Sequence, residues 1–215
     1  FLTYLPHRPE ARYVRYVSIF APELRQALYT LHTLEQVNAA GPPAEEFLLH
    51  AFAQFAGGDI VRRAALVDIF TYLPGDLLVK IDIATMANSL ETRSPFFDSD
   101  LVSYAATLPS EFKLRGWTSK HLLKCAFVDL VPPQILHRKK MGFGVPMANW
   151  LRGDLQPFLR DTLLSETAAR RAFFRHEVVR SLVERHCTGR ENYADQLWAL
   201  LCFELWCRAF LDGEA

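Results

Sequence analysis

The string YLPGDLLVKIDIATMANSLETRSPFFDSDLV at residues 72–102, followed by RKKMGFGVP at residues 138–146, decides how this chain reads. In the first string Leu77, Leu78, Ile81 and Ala84 share one helical face, while Asp76 and Lys80 form an i,i+4 pair on the other. Pro95 forbids continuation of a helix that ends near Leu90, and Asp98 is placed to cap the next one. Glu91 and Arg93 are left at the junction beside Pro95, Phe96 and Phe97. An unpaired charge against such an apolar plug is costly, so the two are expected to be paired and partly buried. The second string sets Arg138, Lys139 and Lys140 before Gly142 and Gly144. A lysine ammonium is a compact point charge, and backbone amides in a glycine turn can approach an oxyanion closely. The same residues also fit two plainer readings, a solvated basic turn and a helix-corner salt bridge without catalytic duty.

Working outward, 215 residues with half of them apolar suffice for one domain or one and a half with a sizeable core. Acidic and basic residues are equal at 24 each, which argues against a strongly steered nucleic-acid or anionic membrane partner. Cys125, Cys187, Cys202 and Cys207 form no CxxC pair, and the first residues have no signal-like pattern, which fits a reducing, cytoplasmic setting. The most hydrophobic stretch, residues 197–203, is far short of the roughly 20 apolar residues that span a bilayer. It reads as a buried terminal helix with Glu204 and Arg208 on one polar stripe.

The coarse pattern is mainly α. Residues 1–20 read as irregular, broken by Pro6 and Pro9, with a short extended piece near residues 14–19. Helices are expected over residues 23–30 (Pro22 in the first turn), 44–55, 59–72 (Asp59 as N-cap), 76–90, 98–108, 118–130, 176–187 and 191–211. The one candidate boundary, at residues 164–172, is too weak to cut.

These strings resemble the synthetase domain of the glutamine-dependent asparagine synthetases and their amidotransferase relatives. LLVKIDIATMANSLE is similar to the family's LLxKxDRxxMxxSLE, with Ile83 where arginine is usual and Asn88 where histidine is frequent. ETRSPFFD resembles the family's LExRxPFLD, with Ser94 for an apolar residue and Phe97 for leucine. The likeness is strongest over residues 72–152 and covers almost all of 1–215, mapping to the helical second half of an adenine-nucleotide α-hydrolase-like, PP-loop ATP pyrophosphatase domain. It implies Lys140 as the catalytic lysine contacting the phosphates, with Gly142 in the phosphate turn and Lys139 facing solvent. Glu91 and Arg93 would shape the substrate pocket. Lys80 and Asp82 read as a solvated helix face.

By family, the substrates are ATP, aspartate and glutamine-derived ammonia, with Mg2+ as the metal; no metal ligands are assigned in this chain, and a homodimer is an expected state. The SGGxDS and GDGGDELFxGY strings that help hold ATP and magnesium do not occur in the 215 residues, nor does an N-terminal glutaminase with its initiating cysteine. The expectation is a partial synthetase domain, inactive alone. Gly57-Gly58-Asp59 bears a faint likeness to SGGxDS but lacks its serines and the preceding strand. His186 with Cys187, Cys202 and Cys207 is no metal cluster, because Cys202 and Cys207 lie roughly 140° apart on a helix; buried thiols are expected instead. Two rivals remain: an amidotransferase acting on a sugar, peptide or other carboxylate, and a non-catalytic helical interaction module.

Overall fold

The computed structural model describes residues 7–55, 57–139 and 144–213. Helices α1 (Pro9–Val17), α2 (Pro22–Leu28), α3 (Leu31–Ala40), α4 (Ala44–Gln54) and α5 (Ile60–Phe70) lead to a π-helical segment, Leu73–Leu78, that runs into α6 (Val79–Met86). A 3-10 turn at Pro95–Phe97 precedes α7 (Ser99–Thr107) and α8 (Ser110–Lys113). A two-stranded antiparallel hairpin, β1 (Leu114–Arg115) with β2 (Thr118–Ser119), comes next. Then follow α9 (His121–Ala126), α10 (Pro133–Leu136), α11 (Met147–Arg152), α12 (Gln156–Leu163), α13 (Glu166–Arg170), α14 (His176–Cys187) and α15 (Ala194–Phe210). The chain is mainly helical and divides into two compact units. One takes in the residues through Tyr16 and the run that starts at Pro43; the other takes in Val17–Pro42 and the C-terminal residues.

The first unit has a small core. Phe52 and Val67 are fully buried, with Ala51 beside them and Tyr13, Leu48, Phe55 and Ala64 packed around. The Tyr13 ring meets Phe52 edge-on at 5.1 Å, and its hydroxyl donates to Asp68. Loss of hydration on burial, then that carboxylate, push the phenol pKa well above its usual value. Arg63 sits 5.6 Å over the Phe52 ring, donates to the Phe52 carbonyl at 3.1 Å and pairs with Glu10. Beyond this core the burial stops: none of the described residues from Asp68 to Lys139 is buried.

The second unit is better filled. Leu151, Leu159, Val183, Leu197 and Leu201 bring α11, α12, α14 and α15 around one apolar centre, and Leu28 joins from α2. The α2–α3 corner is tied to the segment before α14 by Thr30 N–H to the Phe173 carbonyl at 3.2 Å and Arg175 N–H to the Leu28 carbonyl at 2.7 Å. A buried carboxylate locks the far end. Glu204, 4% exposed, accepts from Arg171 Nε at 2.8 Å and from Arg208 Nε at 3.0 Å, and Arg171 also pairs with Asp212.

Several expectations change. Pro9 begins α1 instead of breaking a pattern, because a first-turn proline gives up an N–H that has no helical partner. The segment around Val14 is therefore helical, not extended. The expected helix over 118–130 starts only at His121, since Thr118 and Ser119 pair with Arg115 and Leu114 around a turn at Gly116, whose φ is +58°. Helix α3, unforeseen, is capped by Thr30 Oγ accepting from Thr33 N–H at 3.3 Å. Glu204 and Arg208 pair at i,i+4 as expected, whereas Cys202 is exposed where a buried thiol was expected.

Candidate active-site corner and its relatives

The corner carrying Glu91 and Arg93 is built by backbone hydrogen bonds. Ser89 adopts the left-handed region at φ +57°; its N–H reaches the Met86 carbonyl at 3.0 Å, and the Leu90 N–H reaches the Thr85 carbonyl at 3.0 Å. That pair of bonds is a Schellman closure, which turns the chain out of α6. The Asn88 side chain donates to the Ala84 carbonyl at 2.9 Å, so its amide protons serve the helix end. Ser94 and Pro95 open the 3-10 turn, and Asp98 caps α7 by accepting from Asp100 and Leu101 N–H at 3.1 and 3.0 Å. The cap foreseen at Asp98 is present.

Glu91 and Arg93 are paired across this corner. They are not buried: the side chains are 70% and 86% exposed, and Phe96 and Phe97 are exposed beside them. The expected burial is corrected, because no other described residue of this unit covers the turn closely enough to bury it. An exposed ion pair of this kind contributes little to stability and opens readily. Either side chain can therefore leave the other without a large desolvation cost. Ile83, standing where the family has arginine, is 65% exposed on α6, alongside Met86 and Leu90. The Asp76–Lys80 pair lies at 4.0 Å in solvent, as a helix-surface pair should.

Lys140 and Gly142 lie outside the described residues. Arg138 and Lys139, leading to them, are both exposed. Further along the chain, Pro146 (φ −74°, ψ 52°) makes an inverse γ-turn with the Met147 N–H on the Val145 carbonyl at 2.7 Å, which starts α11. Asp59 serves as N-cap of α5, accepting from Arg62 N–H at 3.0 Å and from the Ser110 hydroxyl at 2.7 Å. Those bonds, the Arg62 amide first, hold its carboxyl below the usual range. Ser110, 51 residues away, carried no sequence signal for that contact.

His186, on α14, is fully buried and holds the start of α15. Its Nδ1 accepts from Tyr193 N–H at 3.1 Å, and burial followed by the nearby Arg152 charge lowers its pKa. Cys207 is buried and Cys202 exposed, so the two thiols face apart on α15. Among the described residues no three His, Cys, Asp or Glu side chains gather closely enough to hold an ion, and no helix is long and apolar enough to cross a membrane.

Residues 1–208 match the family described as asparagine synthase. A protein of Mycobacterium tuberculosis named putative asparagine synthetase (glutamine-hydrolyzing) is 41% identical over 162 residues, which is 75% of this chain and 24% of that protein. Asparagine synthetase (glutamine-hydrolyzing) 1 of Bacillus subtilis is 34% identical over 155 residues, 72% of this chain and 24% of its own. An amidase of Gibberella zeae is 28% identical over 102 residues, 44% of this chain and 15% of the amidase. No solved structure gives a significant match. The chain spans about a quarter of the length of the curated asparagine synthetases it matches. With a family match over nearly its whole length, the chain belongs to the asparagine synthase family.

Proposed function

We propose that this chain is part of an ATP-dependent ligase that converts aspartate to asparagine, with residues 1–215 forming the helical half of a PP-loop synthetase domain and residues 72–152 its motif-bearing core. The observation that carries this reading is the family match over residues 1–208 together with the two strings in their order and spacing. The aspartate side-chain carboxylate attacks the α-phosphate of ATP and releases pyrophosphate; ammonia derived from glutamine then displaces AMP from the acyl adenylate. Negative charge builds on the phosphates in the first step, where a lysine already in position is most effective. Lys140 is assigned that role, with Gly142 letting the backbone approach the phosphates. Arg93 is assigned to the substrate carboxylate, which its guanidinium can grip with two parallel hydrogen bonds, and Glu91 orients it. Mg2+ is the metal expected by family, and no residue of this chain is assigned to hold it.

The exposed corner supports this role. Phe96, Phe97, Ile83, Met86 and Leu90 are each exposed, apolar side chains that a neighbouring wall of a pocket would cover. In the whole protein, Lys140→Ala is expected to lower aspartate-dependent exchange of pyrophosphate into ATP by about 10²–10³-fold, the range for losing one preorganised donor, and to leave glutaminase activity unchanged. Exchange that survives would remove Lys140 from the mechanism. A second reading keeps the chemistry and changes the carboxylate: Ile83 and Ser94 depart from the family pattern, and the Asn88 amide is committed to the helix end. Asparagine formation measured beside a panel of other carboxylates separates the two.

A further inference from the structure

The second unit contains a cavity of about 390 Å³ between the α2–α3 corner, the segment before α14 and the middle of α15. Its size falls within the roughly 300–1,000 Å³ of small-ligand pockets. Aromatic rings that brace one another build the wall. Tyr29 stacks on Phe174 at 5.7 Å, and Phe203 meets Phe173 and Phe174 edge-on at 5.6 and 5.5 Å. Rings locked this way leave a fixed apolar surface on which a flat ligand can lie.

Two polar features give that surface a direction. Arg25 carries the single charge among the described lining residues, and it is positive. Thr33 also lines the cavity. The Thr30 hydroxyl donates to the Ala172 carbonyl at 2.8 Å, so the 2.9 Å contact between the Thr30 and Thr33 hydroxyls has Thr33 as donor. The Thr33 oxygen keeps acceptor capacity for an incoming N–H or O–H.

We propose that this cavity is a binding site for a small planar aromatic carboxylate whose ring bears an N–H or O–H donor, with the carboxylate toward Arg25 and the donor toward Thr33. The cavity belongs wholly to the second unit, and its assignment does not depend on the function proposed above. Indole-3-acetate is a suitable probe, titrated calorimetrically into the protein with neutral indole alongside. Binding is expected with Kd in the range of about 0.1–1 mM, as for a ligand of this size. Val37 is at the cavity edge and 46% exposed, so Val37→Trp should fold normally and narrow the mouth, weakening both probes by about tenfold. Arg25→Gln should weaken indole-3-acetate by about fivefold or more and leave indole within about twofold, because the charge-assisted contact is made to the carboxylate, which indole lacks. Absence of binding by the parent protein at about 5 mM, or equal binding by Val37→Trp, overturns the site. Equal losses of both probes in Arg25→Gln overturn the carboxylate assignment.

Discussion

Glu204 offers the sharpest test of what holds the second unit together. Its side chain is 5% exposed and takes three hydrogen bonds: Arg171 Nε at 2.8 Å, Arg171 Nη2 at 3.3 Å and Arg208 Nε at 3.0 Å. Glu204→Gln keeps the shape and removes the charge, leaving two cations beside a neutral amide that also brings its own donors. Breaking a buried pair by one partner costs about 3–5 kcal/mol. Here the cations keep other partners, Asp212 for Arg171, and the Thr162 carbonyl and Ser165 hydroxyl for Arg208. The lower end, about 3 kcal/mol, is therefore expected. Three of the four tryptophans, Trp150, Trp198 and Trp206, lie in the second unit, so in a Trp117→Phe background the emission reports that unit alone. With a urea slope of about 2 kcal/mol per molar, the midpoint should fall by about 1.5 M at unchanged slope. A fall below about 0.3 M would show that the Arg171–Glu204–Arg208 cluster is an ornament of a fold held by its leucines.

Two further outcomes follow from local chemistry. His186 has a folded pKa below its ordinary 6.5, so the unfolded chain binds more protons between the two values; its stabilisation is complete above pH 6.5 and is lost as pH falls toward the folded pKa. Urea unfolding at stepped pH should show stability rising with pH below 6.5, with this histidine contributing no more than about 0.7 kcal/mol per pH unit at pH 6.5, where half of the unfolded chains are protonated, and His186→Asn, which keeps an acceptor for Tyr193 N–H, should flatten it; an unchanged slope refutes the assignment. Ser89 holds a left-handed φ of +57° at the end of α6, a conformation costing a non-glycine residue about 1 kcal/mol. Ser89→Gly should therefore stabilise the first unit by about 0.5 kcal/mol after the entropy it adds to the unfolded chain, read as a rise in thermal midpoint, and a fall would mean that the serine side chain has a role of its own.

How much of this was legible in the sequence depended on how local the cause was. Helix α14 was readable to the residue because Val179, Leu182, Val183 and His186 repeat at helical spacing and are the buried positions. The caps at Asp59 and Asp98 were readable for the same reason, since a cap is decided within three residues. Pairing of Glu91 with Arg93 was also local and is found. Their burial was not local: it depends on what packs over the corner, and a string of charges and phenylalanines carries no information about that. The hairpin at residues 114–119 displaced the start of a helix because pairing across Gly116 competes with helical propensity at Thr118 and Ser119. The cavity was invisible for a third reason, because its rings come from positions 29, 173, 174 and 203, which no periodicity links.

The two units bury their apolar residues to different degrees. The second unit buries leucines from four helices and a carboxylate held by two arginines, so it has its own thermodynamic reason to fold. The stretch from Asp68 to Lys139 carries comparable apolar residues and buries none of them. Apolar side chains shaped into caps, closures and turns yet left at the surface are not explained by internal packing. Within that stretch lie the family strings around Glu91 and Arg93. A surface whose backbone is fixed by local hydrogen bonds while its side chains remain uncovered is suited to meeting something else, a substrate or a second wall of the pocket. The exposure that corrected the expected burial of Glu91 and Arg93 is thus what leaves them available for the chemistry proposed for this family member.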